Sequence, residues 1–278
     1  MKRGTKITLI FGLILIILGL SLMILALSVG ADFKETGLII QENFDFFDDD
    51  KIKQEDFMDN SMSKDLVLRG SSIPANYINN LKIELAACEA IIVSGSDFAV
   101  HSTRNNCNIK QEGNSLKIEG RKNWFPFDFG RPNKIKITVP VNHFFDNLEI
   151  ELGAGKLTSN TSIKTKTFEA EIGMGECILS NINSTENLDV KVGMGNMEIQ
   201  GYFQEKLKLE CGMGNISVKT AGKASDYSYK AEVGMGSVRI NSTEITGIGG
   251  NSVSPYTAKN HIKIECGLGS VSVQTTEK

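Results

Sequence analysis

The chain has 278 residues, 41% hydrophobic and 23% charged, with a formal net charge of −3. That length admits one membrane segment and one domain of about 200 residues. Near-neutral charge with no basic stripe excludes a nucleic-acid platform, and five cysteines, an odd count, exclude a fully disulfide-paired scaffold.

Lys2, Arg3 and Lys6 precede residues 7–29, a run of 23 without a charge. As a helix this run extends about 34 Å, enough for the hydrocarbon core of a bilayer. Basic residues before it and acidic ones after it place residues 1–6 in the cytoplasm and the remainder outside the cell, in a single-pass protein of the cell membrane. A cleaved signal peptide is the alternative, because Ala26-Leu27-Ser28 resembles a cleavage site, but the run is long for one. Residues 30–65 read as an acidic juxtamembrane spacer, with eleven acidic and four basic residues between Asp32 and Asp65. Within it, Asp48-Asp49-Asp50 lacks the glycine and glutamate of a calcium loop.

Residues 66–278 form the domain. Its first part, 66–141, reads as an amino-terminal cap and first coils. Leu81-Lys82-Ile83-Glu84-Leu85-Ala86 alternates like a strand and is followed by Ile91 and Val93. Leu116-Lys117-Ile118 and Ile135-Lys136-Ile137 supply further alternating strands. Trp124, Phe125, Phe127 and Phe129 sit between them, as part of the cap or as a shelf for a sugar.

From 148 to 278 one phrase recurs six times: Glu-Leu-Gly-Ala-Gly at 151–155, Glu-Ile-Gly-Met-Gly at 171–175, Lys-Val-Gly-Met-Gly at 191–195, Glu-Cys-Gly-Met-Gly at 210–214, Glu-Val-Gly-Met-Gly at 232–236 and Glu-Cys-Gly-Leu-Gly at 265–269. The first glycines lie 20, 20, 19, 22 and 33 residues apart. Apolar residues alternate before each pair (Leu188, Val190, Val192) and, phase-shifted, after it (Met197, Ile199). Period-two alternation marks strands with one dry face. The phase shift marks a corner, which glycine suits by accepting positive φ and by letting backbones approach. The structural corner comprises Gly153, Gly155, Gly173, Gly175, Gly193, Gly195, Gly212, Gly214, Gly234, Gly236, Gly267 and Gly269. Each repeat is then strand, corner, strand and a polar return such as 180–186. Stacked in register, the repeats give an all-β, single-stranded parallel β-solenoid with coils of about 20 residues.

The 33-residue gap leaves a long return at 241–260, which could fold across the carboxy-terminal end of the stack. With only Gln274 to Lys278 after Val273, the last coil would otherwise present an open edge, a dock for self-association.

Several columns invite chemical readings. Gly-X-Gly here lacks the third glycine, the Gly-Lys-Ser/Thr ending and the following helix of a nucleotide loop. Met174, Met194, Met213 and Met235 share one column; stacked thioethers are soft-metal ligands, but filling irregular space at the corner is the expected role. Glu149, Glu151, Glu169 and Glu171 bring like charges about 5 Å apart, so a cation or basic partner could settle there; a solvated face is the plainer reading. Cys177, Cys211 and Cys266 read as buried free thiols. Counted along the chain, Cys211 and Cys266 lie two coils or about 9.6 Å apart, too far for a disulfide, leaving Cys88 with Cys107 as the one pair to consider. His101, His143 and His261 show no metal or triad spacing. Neither a cofactor nor a catalytic residue is expected.

The strand–Gly-X-Gly–strand unit of residues 148–273, with the strand leads Ile73-Pro74 and Val139-Pro140, resembles the putative-adhesin family of bacterial envelope proteins. The resemblance covers roughly 66–275. It implies a β-solenoid domain, often behind an amino-terminal membrane anchor and facing outward, and it carries over no catalytic residue. The reading that follows is a membrane-anchored extracellular binding or scaffolding module of the bacterial envelope, with an envelope polymer or a membrane protein as partner. The alternative is an envelope-stress sensor; with residues 1–6 alone inside, it would act through a membrane partner. A polysaccharide-active enzyme, as found on other parallel β-helices, is the third class.

Overall fold

The computed structural model describes residues 64–66, 78–103, 107–120, 133–246, 249–254 and 258–276. The membrane segment 7–29, all but the last two residues of the spacer, the Ile73-Pro74 lead and the four aromatics of 121–132 lie outside these residues. Among the described residues no helix is long and apolar enough to cross a membrane. Among the same residues strand dominates, beside one 3-10 turn, Ala224–Asp226.

Each coil contributes one strand before its corner and one after, and these stack as two parallel walls. The first wall contains β5 (Ser115–Gly120), the first half of β2 (Asn80–Gly95), most of β7 (Phe144–Ser159) and β8 (Ile163–Ile172). It continues through the end of β9 (Glu176–Val192), β11 (Lys206–Cys211), β17 (Asn260–Cys266) and β13 (Tyr227–Val233). One inward column reads Leu116, Leu81, Leu148, Phe168, Leu188, Leu207, Ile262, Tyr229 in that spatial order. The second wall stacks β6 (Asn133–Pro140), the later parts of β2 and β7, the start of β9, β10 (Asn196–Phe203), β12 (Asn215–Ala221), β18 (Ser270–Thr276) and β14 (Ser237–Ile240). Its matching column is Ile135, Ala90, Leu157, Cys177, Met197, Ile216, Val271, Val238. Every residue of the two columns is buried except Tyr229, which is partly so. The sequence alternation thus becomes one continuous apolar interior.

The polar return is more ordered than its composition suggests. Residues 180–186 run inside β9, where Ile182 pairs with Ile163 and Ser184 with Thr165. Together with Phe145 and Phe203 these residues form a short third wall with side chains at 0–2% exposure. The buried hydroxyls are satisfied locally, Ser184 Oγ donating to Asn187 O at 2.6 Å and Thr165 Oγ1 to Thr167 O at 2.7 Å. The turn into this wall is made at Asn181, at φ 64°.

The order of the coils departs from the order of the chain. β13 and β14 do not stack on β11 and β12; they stand one rung further out. β17 and β18 fill the slot between, Cys266 pairing with both Cys211 and Val233. The 33-residue gap is the detour this needs, and it carries two cap strands, β15 (Thr243–Thr246) antiparallel to β14 and β16 (Gly250–Val253) antiparallel to β13. The other end uses the same device. β3 (Ala99–Ser102) caps β6 antiparallel, with β1 (Lys64–Leu66) beyond it, and β4 (Cys107–Glu112) caps β5. The coil of β5 and β6 then lies between these caps and β2. The last coil is therefore interior, and the open edge expected after Val273 is absent. The outer edges at that end belong to β15 and β16, each of four residues, and short antiparallel edge strands are poor templates for another chain.

Glycine at the corner is required mainly by proximity. Of the twelve corner glycines only Gly155 has positive φ, so conformational freedom is a minor reason. A Cβ on Gly195 would lie 2.2 Å from Gly175 O, and one on Gly193 would lie 3.0 Å from Gly173 O. Backbone cannot retreat as a side chain can. Gly195→Ala is expected to cost about 3 kcal/mol or more in urea unfolding, and Gly193→Ala about half of that. Equal costs at the two positions would contradict this account.

Candidate functional site

At each corner the backbone is spent on its neighbours. The residue between the two glycines donates its N–H to the first glycine of the adjacent rung: Met174 to Gly153 O at 2.8 Å, Met194 to Gly173 O at 2.8 Å, Met213 to Gly193 O at 2.7 Å, Leu268 to Gly212 O and Met235 to Gly267 O at 2.8 Å. Its side chain stands at the apex of the bend, outside the interior already filled by the two walls. Met174, Met194, Met213, Leu268 and Met235 are accordingly 52–66% exposed. The expected role of these methionines as corner filler is overturned: they form an apolar ridge on the outside of the stack.

Beside the ridge runs a groove of about 790 Å³. Its floor includes Gly173, Gly193, Gly212, Gly267 and Gly234. Glu171, Lys191, Glu210, Glu265 and Glu232 line it, and Gly249, Gly250 and Asn251 stand at one end. A second recess of about 520 Å³ lies on the same corner over Ala86, Gly120 and Gly153, beside Glu84, Glu119 and Glu151. The corner thus presents small residues over eight rungs, about 34 Å at 4.8 Å per rung.

The four glutamates singled out from sequence do meet. Glu149 pairs in register with Glu169 and Glu151 with Glu171. Sequence reasoning missed what lies on their other side. β2 brings Lys82 beside Glu149, and its ammonium reaches Glu149 at 2.8 Å, Glu151 at 2.6 Å and Glu84 at 3.1 Å. Burial works to lower the pKa of Lys82, but the three carboxylates together outweigh it and hold the amine protonated well above its usual range. Lys117, 2.9 Å from Glu84, lowers the pKa of that carboxyl against a smaller opposing effect of burial. The first outward column is therefore Lys117, Lys82, Glu149, Glu169, Asp189, Lys208, Lys263, Lys230, acidic in the middle and basic at both ends. Each of its five lysines holds the glutamate two residues on in the same strand, as Lys230 holds Glu232 and Lys263 holds Glu265, both at 2.6 Å. Among the described residues no ion pair reaches Glu169 or Glu171, and the buried Oδ1 of Asp189 has no hydrogen-bond partner. The uncompensated acid is therefore concentrated on the rung of Glu169 and Glu171, since Lys208 reaches the other oxygen of Asp189 at 3.6 Å.

A family model described as Toastrack DUF4097 matches residues 75–254, from before β2 through the cap strand β16. The chain belongs to the Toastrack DUF4097 family. Its domain is all-β and β-solenoid-like. Among solved structures, a "putative cell adhesion protein" from Clostridium sporogenes is similar at 20% identity and a TM-score of 0.43, over 74% of this chain and 97% of that one. A "putative adhesin" from Bacteroides fragilis is similar at 11% identity and a TM-score of 0.27, over 72% and 93%. No curated protein matches the chain.

The fold bears out Cys177, Cys211 and Cys266 as buried free thiols and corrects the distance between two of them. All five thiols are free and buried, Cys88 and Cys107 included. Cys211 and Cys266 are on adjacent rungs rather than two coils apart, because the last coil is inserted between its predecessors. Burial pushes the thiol of Cys88 up to about 12 and those of Cys107 and Cys211 up to about 11. His261 Nδ1 lies 2.6 Å from Ser228 Oγ, a pairing invisible across 33 residues of sequence. Ser228 is 1% exposed, so the pair ties two rungs together beneath the surface instead of offering a nucleophile. His143 is held by Ile78 O at 2.5 Å and packs edge-on against Phe98 and Phe145.

Lys82→Ala should lower stability by about 1 kcal/mol at pH 7, since three partly exposed carboxylates lose their shared cation. The raised pKa of Lys82 contributes stability below about pH 10.4 that is lost at higher pH. The lowered pKa of Glu84 contributes stability above about pH 4.3 that is lost on acidification. Unfolding curves of the two proteins should therefore differ most between about pH 5 and 10 and draw together as the carboxylates are protonated in acid; a difference independent of pH would rule the ion cluster out as its cause.

Proposed function

We propose that this protein is a membrane-tethered, outward-facing binding and scaffolding module of the bacterial envelope, not a catalyst, and that it holds an extended, basic and partly apolar polymer lengthwise in the glycine-floored groove. The observation that carries this reading is the exposed Met/Leu ridge running beside a column of carboxylates on one straight corner. Exposed apolar surface that is contiguous and rimmed by charge marks a contact site. Methionine suits such a surface because its unbranched thioether adapts to varied partners.

Rigidity supports the reading. The corner amides are already bonded to the next rung, so a partner meets a preformed surface and little ordering is required. The same bonds occupy most backbone donors of the corner, so recognition falls mainly to side chains. About ten residues of extended polypeptide would span the 34 Å corner at 3.4 Å per residue. Basic groups on the partner are favoured opposite Glu169 and Glu171, where compensation from within the chain is weakest. Tethering rests on the uncharged run at 7–29 with basic residues before it; protein that leaves the membrane fraction at alkaline pH would argue against an anchor.

A photo-crosslinking residue placed at Met194 should capture a partner on intact cells, whereas the same residue at the exposed Lys219 of the second wall should not. Replacing Met194 and Met213 together by Glu should abolish the capture made from Glu171 without changing the thermal midpoint by more than about 2 °C, since both side chains are exposed. Equal capture from both walls, or capture that survives the glutamates, would overturn the groove as the binding surface. An integral membrane protein as the captured species would move the chain to the regulatory class.

A further inference from the structure

The chemistry of the ridge goes beyond a polymer contact. Four of the chain's nine methionines occupy the apex position between paired glycines, and three of them, Met174, Met194 and Met213, stand on successive rungs. Their alignment is fixed from both sides. Ile172 pairs with Val192 and Val192 with Cys211 before the corner, and Glu176 pairs with Asn196 and Asn196 with Asn215 after it. The reason for methionine at a packed corner, an irregular gap to be filled, is missing here because the side chains point to solvent. Leu268 on the next rung has similar bulk and no sulfur, and it separates Met235 from the other three.

We propose that Met174, Met194 and Met213 form a binding site for a soft monovalent cation, Cu(I) or its congener Ag(I). Thioether sulfur is a soft, neutral donor that favours Cu(I) over hard cations such as magnesium and calcium. Adjacent rungs are about 4.8 Å apart, so a cation midway between two aligned sulfurs sits about 2.4 Å from each. That is close to a metal–sulfur bond, about 2.3 Å for zinc and thiolate. Three unbranched arms from three consecutive rungs can converge on one cation, the outer two leaning toward Met194, because each has several rotatable bonds and no packing to break. Neutral ligands leave the positive charge uncancelled, and Glu171, exposed and outside any ion pair among the described residues, lies three residues before Met174. The cation keeps its oxidation state, and only coordinate bonds form.

The competing soft ligands are Cys211 and Cys266, buried beneath the glycine floor as thiols. The test is a calorimetric titration of the full chain in detergent with Ag(I), followed by oxygen-free competition for Cu(I) against a chromophoric chelator. The wild type should bind one Ag(I) per chain. The triple variant Met174→Leu, Met194→Leu, Met213→Leu should bind it at least tenfold more weakly with an unchanged circular dichroism spectrum. Met235→Leu should bind as the wild type does, and Leu268→Met should extend the series and raise the affinity or the stoichiometry. The double variant Cys211→Ala, Cys266→Ala should retain the site. No binding by the wild type, undiminished binding by the triple methionine variant, or loss of binding with the two cysteines would each overturn the proposal.

Discussion

The whole stack depends on how closely two backbones can approach at a bend. Parallel strands on successive rungs are about 4.8 Å apart, and where the chain turns from the first wall into the second that spacing leaves no room for a Cβ on the inner side. Gly201 shows the limit at another bend, where a Cβ would fall 1.6 Å from Ile182 O. At the main corner the second glycine is the tighter one in every pair but Gly173 and Gly175, where the two are about equally close, and the pair recurs in all six repeats. Ala86 stands in the first column, on the rung beside β5, which ends at Gly120 without a Gly-X-Gly corner. The pattern of glycine and alanine is thus a map of which rungs have a full corner beside them.

Stacking in register creates a second constraint, because a stack has two ends. Both ends here are closed by antiparallel cap strands, and in both the coil nearer the chain terminus is tucked inward while its neighbour in the chain takes the edge. The interior position of β17 and β18 means that the last coil makes ladders on both sides. Its contribution is then nearly double that of an edge coil, since each wall strand gains two sets of backbone hydrogen bonds instead of one. The longest detour in the domain, 241–259, leads to a coil paired on both sides.

The walls were legible because alternation and the glycine pairs each fix a register modulo two, and both agree in every repeat. Leu188, Val190 and Val192 could face only inward once Gly193 was a corner. The order of the coils was not legible, since the repeats share one pattern and Cys211 pairs as well with Cys266 as it would with Val233. A 33-residue spacing could signal a detour without saying where the chain re-enters. Two further features depended on that order or on the apex geometry. Lys82 neutralises Glu149 and Glu151 from a strand 67 residues away. The methionines were read as filler because the apex of a bend cannot be told from its inside by composition.

Exposure of the apex follows from the same close approach that demands glycine. With the flanking positions reduced to hydrogen and each apex amide bonded along the stack, the one side chain between them makes no demand on the fold. Nothing in packing selects what stands there, so a run of three thioethers and a leucine, rather than the lysines and serines that ordinarily occupy exposed turns, calls for a cause outside the stability of the coil. The rigid ladder beneath then becomes the relevant property: whatever meets the apex, an extended polymer or a soft cation, meets donors held at a fixed repeat. A flexible loop carrying the same methionines would have to be ordered first, at about 1–2 kcal/mol for each residue fixed.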